Sequence, residues 1–448
     1  MEIEYYEQLY RQLIEHFYQQ FDYFITKEWG GIADQNEMND AVRQKAYDTF
    51  YAKVKKARIA NRQTIRKWFG MGGQIMPNRQ QIFKIALSVG LSRDDTNRYL
   101  QYGISETAFQ ETAFQENDYR EFIVMYCLDH GIGLQKCEEM ISFYESKCHN
   151  RGQWEQNTHT DWLRRQYEIV KLYKEQDFLL WMYKHQKYFK GYSLTVLHCY
   201  QELMTKCLRI FRENMRQSLV VLLKEVGFFS WVAKKQGEQK YDENDIERFV
   251  KNRLRSSSHA LDSNKAKEIR NLVSIVYASH DRICDLIQGV YTKMPAWRQG
   301  GTQRRVYHTL RNHMQRIDEK YLSELLNMAL HKERQMRLQM LLAQEDNEQK
   351  RNELQKQLRK NKGRLHMIQR SDLLILAQYI IYAKYENNSY VSCDYRPARE
   401  EFRVYADSIM ELCGMRKLDD SYMLDYVMLS CFSEEEIYLF SEIIEGVE

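Results

Sequence analysis

Between Arg43 and Lys84 stand eleven basic residues, Arg43, Lys45, Lys53, Lys55, Lys56, Arg58, Arg62, Arg66, Lys67, Arg79 and Lys84, against a single acid, Asp48. This segment carries +10 in 42 residues, whereas the whole chain of 448 carries +4, so the other 406 residues sum to −6. A cationic run so dense suits a polyanion, because each lysine or arginine set against a phosphate releases a condensed counterion. Arg62, Gln63 and Arg66 add a second chemistry. A guanidinium pairs bidentately with guanine and a carboxamide with adenine, so these side chains can read bases as well as hold phosphates.

Such groups need a scaffold that presents them on one face. Asp48 to Arg58 is expected to form a helix with Phe50, Val54 and Ala57 inward, followed by the short break Ile59-Ala60-Asn61 and a second helix from Arg62. Asn61 can cap that second helix through its side chain. Ile65 and Trp68 are three apart and share a buried face, and Gly70-Met71-Gly72-Gly73 ends the element. Arg62, Gln63, Arg66 and Lys67 then point outward, toward a major groove. Lys55, Lys56 and Arg58 lie over phosphates, and Arg79 is counted with them as a DNA contact.

Asn61-Arg62-Gln63-Thr64-Ile65-Arg66-Lys67-Trp68, followed by a glycine turn and Met76-Pro77-Asn78-Arg79, resembles the Cro/phage-repressor (Xre) class of helix-turn-helix domains. The resemblance covers about residues 44 to 103. It implies that Arg62, Gln63 and Arg66 face bases and Lys67 a phosphate. The first helix departs from the pattern, which has alanine where Lys55 falls and a turn glycine where Ile59 falls; a one-residue deletion would restore the register. Further along, Arg370-Ser371-Asp372-Leu373-Leu374, Cys413-Gly414-Met415 and Asp425 are similar to the C-terminal region of large helix-turn-helix proteins common in Firmicutes.

Two other stretches bear on chemistry. Arg253 to His259 and Arg359 to His366 resemble the Arg-x4-6-His element of HEPN ribonucleases, although neither has a polar uncharged residue directly after the arginine. Nine cysteines are scattered without a Cys-x-x-Cys pair, so no disulfide framework or zinc ribbon is expected, and no metal or cofactor. Glycine-rich nucleotide loops, the Gly-x-Ser-x-Gly elbow, His-Glu-x-x-His and calcium loops do not occur. The basic loop from Lys293 to Arg305 could grip phosphate or serve as a solvated interhelical turn.

The whole chain reads as helix. It holds only 3 prolines and 19 glycines, too few for the turns of a sandwich or doubly wound sheet. Arg79 to Leu91 is matched 41 residues later by Arg120 to Ile132, each a helix closed by glycine and followed by a second helix. The link between the copies, Glu106 to Gln115, is expected to be an exposed tether. Aromatics from Trp154 to Val232 fall at helical spacing and are expected to form core. His331 to Arg364 reads as one long charged helix, either exposed or paired in a homodimeric coiled coil, although its apolar residues do not sustain a heptad.

The fold class is therefore all-α, with a helix-turn-helix domain, helical bundles and a long charged helix. Five regions are expected: an N-terminal extension (1–40), the helix-turn-helix domain (41–105), a helical domain with the repeat (106–235), a helical or coiled-coil region with the basic loop (236–366) and a C-terminal helical domain (367–448). The longest nearly apolar stretch, Ser218 to Ala233, contains Lys224 and Glu225 and is shorter than the ~20 residues of a membrane span. Met1-Glu2-Ile3-Glu4 lacks a signal-peptide layout. A cytoplasmic, bacterial, sequence-specific regulator bound to double-stranded DNA is the first expectation. A HEPN-like ribonuclease or other nucleic-acid-directed defence protein is the second, and a helical protein-interaction scaffold the third.

Overall fold

Long runs without proline and apolar residues recurring every three to four positions leave helix as the regular structure that satisfies every backbone group. The computed structural model describes residues 2–12, 21–32, 38–73, 75–100, 117–148, 160–236, 241–255, 261–278, 286, 319–388, 395–420, 423–433 and 435–446. Among these the protein is all-α, with 21 α-helices and one isolated antiparallel bridge between Phe432 and Ile437. The helices are α1 (Glu2–Gln12), α2 (Phe21–Gly30), α3 (Asp40–Val54), α4 (Arg62–Trp68), α5 (Arg79–Val89), α6 (Arg93–Arg98), α7 (Tyr119–Asp129), α8 (Leu134–Lys147), α9 (Thr160–Val170) and α10 (Glu175–Lys184). They continue as α11 (Leu194–Glu225), α12 (Phe228–Gln236), α13 (Glu243–Leu254), α14 (Ser263–Val276), α15 (Glu319–Leu326), α16 (Met328–Gln344) and α17 (Glu348–Lys362). The last four are α18 (Arg370–Asn388), α19 (Arg396–Leu412), α20 (Met423–Ser430) and α21 (Phe440–Gly446). None of the described helices is long and apolar enough to cross a membrane.

Three cores form. The first joins buried residues from α2 to α10 with Met336 and Met340 of α16. Phe21, Phe24 and Ile25, from the stretch expected to be a separate extension, lie in this core together with Trp68. The second gathers Leu9, the first half of α11, α15 and α18 to α21. The third packs Leu219, Leu222 and Leu223, at the far end of α11, against α12, α13 and α14. The expected boundary between regions 106–235 and 236–366 therefore falls within one core, because Phe228 before it and Phe249 beyond it pack together.

The repeat folds as expected. Gly90 and Gly131 both sit at positive φ, 77° and 64°, a region that costs a residue with a Cβ about 1 kcal/mol or more. In each copy the following amide reaches back five residues, Leu91 to the Ala86 carbonyl and Ile132 to the Cys127 carbonyl, at 2.9 and 2.7 Å. Both closures are Schellman-type caps.

The long charged helix is not continuous. It breaks at Glu345-Asp346-Asn347, where the Asn347 side chain accepts from the Lys350 amide at 3.1 Å and caps α17. α17 folds back along α16, and Asn361 Nδ2 donates to the His331 carbonyl at 2.9 Å. Doubling back lets α16 bury Met336, Leu338 and Met340, with α8 packed against it, which a single projecting rod would leave in water. α18 is covered on all sides: every residue from Arg370 to Ala383 except the half-buried Tyr382 is buried.

Candidate nucleic-acid interface

The interface starts from α3. Asn39 accepts from the Val42 amide at 3.0 Å, so the helix begins at Asp40, eight residues before the expected start at Asp48. It buries Ala46, Tyr47, Phe50 and Val54 and closes in a 3-10 turn, Lys55–Ala57. Arg58 then takes φ 49° and ψ 40°, the one non-glycine residue with positive φ among those described. The sequence pattern placed a turn glycine at the position of Ile59. The left-handed residue is Arg58, one position earlier, and Ile59 is buried instead.

Asn61 starts α4 as its residue type required, its Oδ1 accepting from the Thr64 amide at 2.8 Å. Ile65 and Trp68 are fully buried, and Trp68 stands edge-on to Phe21 and Phe50 at 6.4 Å between ring centroids. The far end is clamped. Arg43 Nη1 donates to the Phe69 carbonyl and to Asp22 Oδ2, each at 2.7 Å. Gly70, at φ 76°, passes so close that a Cβ would lie 2.2 Å from Arg43 Nη1. Arg43 thus belongs to the scaffold rather than to the cationic surface.

On the outer face of α4, Arg62 and Gln63 are exposed and Arg66 and Lys67 are half-buried. Two tyrosines of α3 lie beneath the arginines. Tyr47 and Tyr51 stack with centroids 5.4 Å apart, the Arg66 guanidinium lies 5.6 Å from the Tyr47 ring, and that of Arg62 lies 5.8 Å from the Tyr51 ring. Arg62 Nε also donates to the Tyr47 hydroxyl at 3.3 Å, and this bond raises the Arg62 pKa further above its ordinary value. Aromatic faces attract guanidinium and narrow its rotamers, so less entropy remains to be lost on binding. The tyrosines were missed at the level of sequence. Their spacing of four, which puts both on one helix face, is the signal that would have found them.

Lys55, Lys56 and Arg58 are exposed beside this face. Of the eleven cations in the segment, Arg43, Arg79 and Lys84 hold carboxylates, and the remaining eight form no ion pair among the described residues. Arg79 leaves the set of DNA contacts. It forks onto Glu121, with Nε to Oε1 at 2.8 Å and Nη2 to Oε2 at 2.6 Å, and its guanidinium lies over Phe83 at 5.2 Å. Only 15 % of its side chain is exposed. It braces the first copy of the repeat against the second, and its partner, 42 residues away, lies beyond the reach of local pattern.

The other candidate stretches lie partly outside the described residues. His259, the loop from Lys293 to Arg305 and the tether from Glu106 to Gln115 lie outside them. Arg253 stacks over Phe249 at 5.4 Å. His366 Nε2 lies 2.8 Å from Glu324 Oε2, its ring packs on Tyr321, and Arg359 is exposed on α17. No group of three or more His, Cys, Asp or Glu among the described residues is placed to hold a metal ion. Trp181, Phe178 and Phe189 pack about Phe122 as core, with Trp162 stacked on Trp181. No family model, curated protein or solved structure matches this chain.

Proposed function

We propose that the protein is a sequence-specific regulator of transcription that binds double-stranded DNA through α4, with the helical body behind it serving to sense a signal or to oligomerise. One observation carries this reading. A short helix fixed by Trp68, Asn61 and the Arg43 clamp presents Arg62, Gln63 and Arg66 on one face, amid cations that form no ion pair among the described residues. Bidentate side chains on a rigid helix discriminate bases, and unpaired lysines beside them supply phosphate affinity.

Fluorescence anisotropy on a labelled duplex over a salt series tests it. Affinity is expected to fall steeply with salt, and a Lys55→Ala/Lys56→Ala variant to make the log-log slope shallower by about 2. A slope that does not change, or no binding at ~50 mM salt, contradicts the reading.

A further inference from the structure

The base of the α16 and α17 hairpin carries a second uncompensated cationic surface. Lys356, Arg359, Lys360 and Lys362 of α17 and Arg364 just beyond it are all exposed, and no acid occurs between Glu353 and Asp372. None of the five forms an ion pair among the described residues. Elsewhere on the surface, pairing is common: Arg270 with Glu247, Lys384 with Glu401 and Arg403 with Asp420. The hairpin is also polarised, since Glu345, Asp346 and Glu348 gather at its tip. The bond from Asn361 to the His331 carbonyl sets the antiparallel register, which brings Arg334 and Arg337 of α16, both exposed and without an ion pair among the described residues, level with Gln355 to Leu358, beside Lys356 and Arg359.

Like charges crowded on one face repel, so this surface gains from an anion that spans it. Lys356, Arg359 and Lys360 form one stripe of a helix. From Lys356 to Lys362 the helix rises about 9 Å, which matches about three phosphates of one DNA strand at roughly 3.4 Å of axis each. The other residues on α17 narrow the partner further. No aromatic side chain is present to stack unpaired bases, as single-stranded RNA requires, and the apolar Leu354 and Leu358 are half-buried, which leaves nothing to insert into a bilayer.

We propose that this surface is a second contact for the phosphate backbone of duplex DNA, independent of base sequence and separate from the base contacts of α4. The assignment of duplex DNA as the partner rests on the function proposed above. In it α17 adds affinity and α4 adds selectivity.

The test uses the full chain, a ~40 base-pair duplex taken from a library selection, and a Lys356→Ala/Arg359→Ala/Lys360→Ala variant. The variant is expected to keep the base preference and melting temperature of the wild type while its salt slope becomes shallower by about 2 to 3, at roughly 0.9 for each phosphate no longer neutralised. A charge-preserving Lys356→Arg/Lys360→Arg variant should keep the wild-type slope. An unchanged slope in the alanine variant, with Gln63→Ala still relaxing base preference, overturns the α17 surface and leaves the α4 reading intact. A shallower slope in the alanine variant, when the wild type itself shows no base preference, does the reverse. No duplex binding by the wild type, or a variant that loses only binding to polyuridylate or to phosphatidylserine vesicles, overturns the proposal.

Discussion

Arg62 on α4 and Arg370 at the start of α18 are the same side chain in opposite circumstances. Arg370 is 2 % exposed, forks onto Asp425, with Nη2 to Oδ2 at 2.8 Å, and donates to the carbonyls of Arg416 and Lys417. Arg62 is exposed, rests against two tyrosines and forms no ion pair among the described residues. Removing a charge from water costs several kcal/mol unless partners replace the solvent, so Arg370 can serve only the fold. Arg62 keeps its water and its free donors, so it can give them to a ligand. Net charge does not separate these two roles. The partners of each cation do, and by that criterion Arg43 and Arg79 belong to the scaffold rather than to the surface.

The comparison breaks most sharply at Arg370. Arg370→Met strands Asp425 in the interior and should cost about 3 to 5 kcal/mol, read as a lower midpoint in urea, while duplex affinity per folded molecule stays unchanged. Loss of DNA binding without loss of stability would reverse the roles assigned here. A pH series on the same core is next. Burial pushes the Asp372 carboxyl up to about 7, in contact with Tyr321 and the Gln369 amide. The folded chain then keeps a proton that the unfolded chain releases near its ordinary value of about 3.9, so stability should fall as pH rises from about 4 through 7 and level off above. Asp372→Asn should flatten that profile and raise the unfolding free energy at about pH 8 by about 2 to 4 kcal/mol; an unaltered profile assigns the titration to another group. The smallest effect belongs to Arg58. Arg58→Gly relieves a left-handed arginine and should stabilise the first core by up to about 1 kcal/mol while weakening duplex binding. A variant that binds as tightly as the wild type would show that Arg58 touches no phosphate.

Much of α4 was legible because its determinants are local. Asn61 caps, Ile65 and Trp68 turn inward, and the glycines after Phe69 end it, all within a dozen residues. The glycine-closed repeat was readable for the same reason. What escaped depends on distance: Glu121 on Arg79, Asp22 on Arg43, and Phe21 and Phe24 in the core of a domain expected to start at residue 41. The break at 345 to 347 was visible in principle. Asn347 followed by Glu348 in the first turn is a capping signal, but the charges on both sides masked it. The spacing of Tyr47 and Tyr51 marks a shared face of α3, but which arginine lies over which ring depends on how α3 and α4 cross, which neither helix shows alone.

The central claim is that α4 reads bases, and selection from a random duplex library, run on the wild type and on Gln63→Ala, tests it most directly. Gln63 is exposed and uncharged, so its removal leaves the salt slope and the fold unaffected. The wild type is expected to return a defined base preference, and Gln63→Ala to relax it at one position by about 1 to 3 kcal/mol with the other positions retained. An identical preference in the variant, or none in the wild type, would contradict base reading by α4 and leave the cations of residues 45 to 67 with phosphate binding alone.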